Sequence, residues 1–171
     1  MTQDLAPLVL EKFREQVERL DHLLALIPPG ALTAAPPVHT AMPLDLLLGH
    51  LLECLAGFCA TLHAAHPERL AHFAHLRTLP VNHRCGVQEA RDRIGEYMSH
   101  IAEGFACLTD IDLARPIPTV FVPSGEAVLT LLLGNLEHLT NHKYQLFLYL
   151  KLLDVPVGTP DLYHWRGSRV S

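Results

Sequence analysis

Four long stretches of this chain repeat their apolar residues at intervals of three and four, and no other feature restricts the fold as much. The first runs from about Leu5 to Ile27. Leu8, Leu10, Phe13, Val17, Leu20, Leu24 and Ile27 share one side of it, and Glu11, Lys12, Glu15 and Glu18 the other. Pro28, Pro29 and Gly30 end it, and the Pro-rich stretch that follows reads as a connecting loop. The second begins at Pro43, a residue suited to a first helical turn, and stays apolar from Leu44 to about Ala65, where Pro67 stops or kinks it. The third covers about Val87 to Leu108, with Ile94, Tyr97, Met98, Ile101, Phe105 and Leu108 on its apolar side. The fourth is expected to start at Ser124 as N-cap, to carry Glu126 in its first turn, and to run to about Leu153.

The segments between are less defined. From Arg69 to Leu79 a short helix fits, but Pro80, Asn82 and Gly86 favour a loop. From Thr109 to Pro123 the chain holds three prolines, and Ile117, Val120, Phe121 and Val122 fit either a short extended piece or plain loop packing. The tail to Ser171 reads as irregular. Four such helices in 171 residues predict an all-α fold, a four-helix bundle with long connections, as a single domain over 1–171. A chain of this size buries roughly 70% of its unfolded surface and needs no staples.

Composition narrows the function classes. With 49% hydrophobic and 18% charged residues the chain is not of the disordered kind. A net charge of −5 is the wrong sign for an electrostatic nucleic-acid binder, so no nucleic-acid partner is expected. The most apolar run, Leu44 to Leu62, contains Asp45, His50 and Glu53, which suits a buried helix better than a membrane span. The N-terminal residues show no basic segment followed by an apolar one, and Cys54, Cys59, Cys85 and Cys107 include no C-x-x-C pair. The expected setting is cytoplasmic, with the cysteines as reduced core thiols.

The 12 histidines are the compositional anomaly. His138 and His142 lie four apart on the fourth helix, which puts both rings on one face with Cβ atoms about 5–6 Å apart. At about 100° per residue, His142 falls about 50° and His138 about 90° from the centre of the stripe set by Val128, Leu132, Leu139, Leu146 and Leu150. Two imidazoles so placed can reach one metal, although the spacing alone fits a cavity-edge role equally well. Leu139 stands where a metalloprotease H-E-x-x-H motif needs its Glu. A third ligand has to come from another helix, and His50 is the best placed. On its own it also reads as a satisfied core histidine. Glu53 shares its face and can orient it. Asn135 and Tyr149 share the side of His138 and His142 and are candidates for supporting or proton-transfer roles. His63, His66, His72 and His75 form a rival cluster around Pro67 that reads as a solvated, His-rich segment. His22, His39, His83, His100 and His164 have no partners that the sequence identifies.

Two runs carry a resemblance. Glu137-His138-Leu139-Thr140-Asn141-His142-Lys143-Tyr144-Gln145, continuing through a Leu-rich stretch to Asp154-Val155-Pro156, resembles the last helix of DinB/YfiT-like proteins. That helix carries a His, three residues, a second His, a Gln soon after and a Leu-rich close. Leu48-Gly49-His50-Leu51-Leu52 resembles the same family's His-Leu pair early in helix two. The resemblance implies a four-helix bundle with a divalent-metal site of three His at the matching positions, His50, His138 and His142. It implies a metal-dependent hydrolase or a low-molecular-weight thiol transferase acting on a small molecule, and a homodimer. Tyr144, where the family tends to have a small residue, could narrow the pocket, and Asp154, where it tends to have Gly, bears on the helix end.

Three protein ligands leave a coordination position open, as in catalytic sites. An all-imidazole set suits a divalent transition metal, Zn or Ni first, with Fe or Cu also accommodated. The alternative is a non-catalytic metal- or ligand-binding bundle, dimeric and stress-related. A polymerase is excluded by the short, acidic chain without paired strand carboxylates.

Overall fold

The computed structural model describes residues 4–33, 36–37, 41–119 and 122–167. The four long helices are α1 (Leu5–Ala25), α2 (Leu44–Ala65), α3 (Val87–Ala106) and, after the short α4 (Asp110–Ala114), α5 (Val128–Leu152). A short α6 (Thr159–Leu162) lies in the tail, and a two-residue strand pair, β1 (Pro116–Ile117) with β2 (Glu126–Ala127), precedes α5. A 3₁₀ helix, Ala71–Thr78, occupies the connection from α2 to α3.

Both α1 and α2 pack against α3 and α5, so the helices close a ring in the order α1–α3–α2–α5. The consecutive helices α1 and α2 sit across that ring and meet through Phe13 and Phe58, whose ring centroids are 4.0 Å apart. A long first connection is therefore a topological need. α2 is the most enclosed helix because apolar residues cover most of its circumference: Leu44, Leu47, Leu48, Leu51, Leu52, Leu55, Phe58 and Leu62 are all buried. By length and composition alone it could cross a membrane, yet most of it is buried inside the bundle.

The expected bundle is observed, with differences at the fourth helix and in the connections. Ser124 does not cap α5. Gly125 has φ +95°, a left-handed turn that Gly adopts at little cost, and Glu126 and Ala127 pair with Ile117 and Pro116 before the helix begins at Val128. Of the two readings open near Ile117, the extended piece is found, as β1, while Val120 and Phe121 lie outside the described residues, as does His39. In the run before α3, of the two readings open for Arg69 to Leu79, the short helix is the one found: the 3₁₀ helix, which buries Phe73 and Leu76. The run after α3 holds α4, whose start is a capping box: Thr109 Oγ1 accepts from the Asp112 amide and Asp112 Oδ2 accepts from the Thr109 amide. The tail is partly ordered by α6, where Asp161 bonds His22 at 3.1 Å, and His164 stacks on His22. At the end of α5, Asp154 sits at φ +58° while the Asp154 and Val155 amides donate to the Lys151 and Leu150 carbonyls. This is a Schellman ending, where a Gly would be at ease and an Asp is tolerated.

The loop between the 3₁₀ helix and α3 is fastened along the first half of α2. The Asn82 and Cys85 amides donate to the Gly49 and Asp45 carbonyls, each at 3.0 Å, and Arg84 pairs with the buried Asp45 carboxylate at 2.6 Å. Gly49 permits this approach: a Cβ there would stand 2.0 Å from the His83 carbonyl oxygen. Opposite, Lys143 of α5 is buried and donates to Gln16 of α1 at 2.6 Å.

Candidate metal centre

The site forms where the first half of α2 faces the middle of α5. The structure brings His50, His138 and His142 together, with one ligand-type atom from each lying within 4.8 Å of the others. The Nε2 atoms of His50 and His142 are 3.0 Å apart. The His138 ring centroid is 5.3 Å from that of His50 and 4.7 Å from that of His142. Two nitrogens on one tetrahedral zinc, at about 2.0–2.1 Å each, stand about 3.3 Å from one another, so the observed separation is close to a bound geometry.

The far side of each front ring is held by an acceptor. Behind His50, Nδ1 is 2.8 Å from Asn82 Oδ1 and 3.0 Å from Glu53 Oε2. Behind His142, Nδ1 is 2.8 Å from Gln145 Oε1, and Gln145 Nε2 donates to the Tyr149 hydroxyl at 3.0 Å, which fixes the amide's orientation. With carboxylate and amide oxygens behind them, both rings carry their proton on Nδ1 and turn an Nε2 lone pair toward the other. Two lone pairs 3.0 Å apart repel, and either a shared proton or a cation relieves them. Burial pushes the His142 pKa below its ordinary value, and His50 and His138 push the same way, against the Gln145 bond and the Glu53 carboxylate. A neutral imidazole is the form that ligates metal. The donor set therefore fits a divalent transition ion.

Glu53 stands behind His50, where the sequence expected it. Tyr149 reaches His142 only through Gln145. Asn135 is a correction. It donates to Thr61 Oγ1 at 3.2 Å, and Thr61 follows His50 by eleven residues, about 16 Å along α2. Asn135 faces α2 at Gly57 because that residue lacks a side chain; a Cβ there would lie 2.9 Å from Asn135 Oδ1. Tyr144 is also a correction: it is half exposed and lines a separate cavity with Gln16, Arg19 and Tyr163. Two supporting residues were missed. Gln145 carries a local signal, three residues after His142 on one helix face. Asn82 carries none, because the loop brings it to His50 across 32 residues.

His63, His66, His72 and His75 do not converge. His63 lies against Arg77, His66 against Asp112, His72 against Glu103 and His75 against Glu96. All four cysteines are free, and burial pushes the Cys54, Cys59 and Cys85 thiols up to about 12, so without a bound cation they stay protonated. A cavity of about 310 Å³ opens beside Glu53, and none of His50, His138 and His142 lines it. Glu53 lies at its rim, Ala56, Gly57, Ala60, Phe73 and Leu76 form an apolar wall, and Arg77 supplies a cation.

No protein-family model matches the sequence, and no curated protein matches it. Solved structures do. A DinB-like protein, YjoA from Bacillus subtilis, superposes with a TM-score of 0.65 at 17% identity, covering 87% of this chain and 96% of that one. The mycothiol-dependent maleylpyruvate isomerase superposes with a TM-score of 0.51 at 12% identity over 89% of this chain, which spans 61% of the isomerase. A histidine-to-alanine mutant of that isomerase superposes with a TM-score of 0.52 at 11% identity. The ring of four long helices with its long connections is thus the fold of DinB-like proteins.

Proposed function

We propose that this chain holds a divalent transition metal on His50, His138 and His142 and uses it in a reaction on a small organic molecule, either hydrolysis or transfer of a low-molecular-weight thiol. The convergence of three imidazoles from two helices, with both front rings backed by acceptors at Nδ1, carries the reading. Such an ion supplies Lewis acidity and lowers the pKa of a water or thiol that it touches. The chain's own residues do the rest. Asn82 and Gln145 hold the two rings in the tautomer that leaves Nε2 free. Glu53 is 44% exposed and sits both at His50 and at the cavity rim, so its carboxylate can take a proton from a nucleophile entering the cavity. The apolar wall suits the body of a small substrate and Arg77 an anionic end. The mycothiol dependence of a structural neighbour supports the thiol branch.

The test is elemental analysis of the protein purified without added metal, beside His142→Ala, with ester substrates and thiol–electrophile pairs then assayed on the loaded protein. Stoichiometric metal in the wild type and its loss in the variant are expected. Metal below about a tenth of an equivalent, unchanged by soaking with Zn²⁺ or Ni²⁺, would remove the metalloenzyme reading.

A further inference from the structure

A second group of ligand-type side chains lies on the other side of the Asn82 loop. His83, Cys85 and Glu89 place one donor atom each within 4.8 Å of one another. The sequence left His83 without a partner and treated Cys85 as core packing. The fold brings them together because His83 and Cys85 are two apart on the non-helical stretch fastened to α2, and Glu89 projects from the first turn of α3 just beyond Gly86.

The contacts in this group leave donors over. His83 Nε2 is 2.7 Å from Glu89 Oε1, while His83 Nδ1 is buried with no hydrogen-bond partner. Cys85 is 1% exposed, and its thiol donates to the Gly86 carbonyl at 3.4 Å, which leaves the sulfur lone pairs unused. Imidazole, thiol and carboxylate within 4.8 Å of one another form a mixed N, S, O set. Such a set suits a borderline-soft ion such as zinc at about 2.0–2.3 Å per bond; to share it, His83 Nε2 and Glu89 Oε1 would open from 2.7 Å to about 3.3 Å.

We propose that His83, Cys85 and Glu89 form a second metal site, of zinc type and with a thiolate ligand, separate from the three-histidine centre. On binding, the Cys85 S–H bond breaks heterolytically. The sulfur keeps the electron pair and donates it to the ion, and the proton leaves to solvent. His83 and Glu89 contribute lone pairs, and the fourth position is open to water. The ion would clamp the loop to the start of α3 and so hold Asn82, one residue before His83, against His50.

Co²⁺ separates the two sites, because only a thiolate ligand gives a sulfur-to-cobalt charge-transfer band in the near ultraviolet. The full chain, reduced with a phosphine so that no external thiol competes, is titrated with Co²⁺ alone. The wild type should develop the band by two equivalents of Co²⁺, and His142→Ala should keep it, whether or not the three-histidine centre binds metal. Cys85→Ser should lose the band while keeping its far-ultraviolet circular dichroism, and Cys54→Ser, four residues from His50, should retain it. Glu89→Gln alters a carboxylate that is 44% exposed and leaves the core intact; it should weaken the band's Co²⁺ affinity at least tenfold. No band in the wild type at saturating Co²⁺, a band surviving Cys85→Ser or lost in Cys54→Ser, or an unchanged midpoint in Glu89→Gln would each overturn the proposal.

Discussion

Gly49→Ala tests how the loop is held against the metal centre. A Cβ on residue 49 would lie 2.0 Å from the His83 oxygen, 2.7 Å from its nitrogen and 2.9 Å from its carbonyl carbon, all of them backbone. Restoring an ordinary contact of 3.4 Å requires the loop to retreat by about 1.4 Å. That distance breaks the Asn82-to-Gly49 amide bond of 3.0 Å and withdraws Asn82 from His50. Overpacking costs about 1–3 kcal/mol and the lost hydrogen bond about 1, while the better helix propensity of Ala returns up to about 1. The net expectation is a loss of about 1–3 kcal/mol in urea unfolding, together with roughly tenfold weaker Zn²⁺ binding at the three-histidine centre. Two glycines serve as internal controls. Gly95→Ala, with nothing within 4 Å in the middle of α3, should stabilise by about 0.5–1 kcal/mol. Gly57→Ala meets only the tip of the Asn135 side chain, which can turn away, and should change stability by less than about 1 kcal/mol. If Gly49→Ala unfolds at the same urea concentration as Gly95→Ala, the loop is not seated as described and the reasoning fails.

Two further perturbations have definite signs. Gln145→Leu removes the acceptor behind His142 and leaves the Tyr149 hydroxyl without its donor; Zn²⁺ affinity in a competition titration should fall about 10–100-fold with little change in helicity, and an unchanged affinity would show that Gln145 does not orient the ring. Burial, with Arg19 adding to it, pushes the Lys143 pKa from 10.5 down to about 8, so between those values the unfolded chain binds a proton that the folded chain does not. Wild-type stability relative to Lys143→Met should therefore rise by about 2 kcal/mol, after allowance for solvent screening, as the pH goes from about 8 to about 10 in urea titrations. A parallel pH dependence of the two proteins would show that Lys143 is charged at no cost.

The four long helices were legible because each repeats its apolar residues with the helical period over twenty or more residues, and no competing conformation buries such a stripe. The pair His138 and His142 was legible for the same reason, since a spacing of four fixes a shared face. Asn135 was misplaced because a helical wheel gives an angle but not a height, and Asn135 meets α2 two turns or more beyond His50. The start of α5 was misjudged because Ser124 and Glu126 look like a cap in isolation, whereas pairing with β1 satisfies those backbone groups first.

Local periodicity thus settled on its own that this chain is helical, which faces are buried, and that two imidazoles stand side by side on α5. Only the tertiary structure decided what completes the two ligand groups. His50 reaches His142 across the α2–α5 interface, and Asn82 and the His83, Cys85 and Glu89 group depend on a loop seated against α2 at Gly49. The physical reason is the range of the forces. Helix formation acts over four residues and is written in the local order of side chains, whereas a ligand set needs donors within a few ångströms whose separation in the chain is arbitrary.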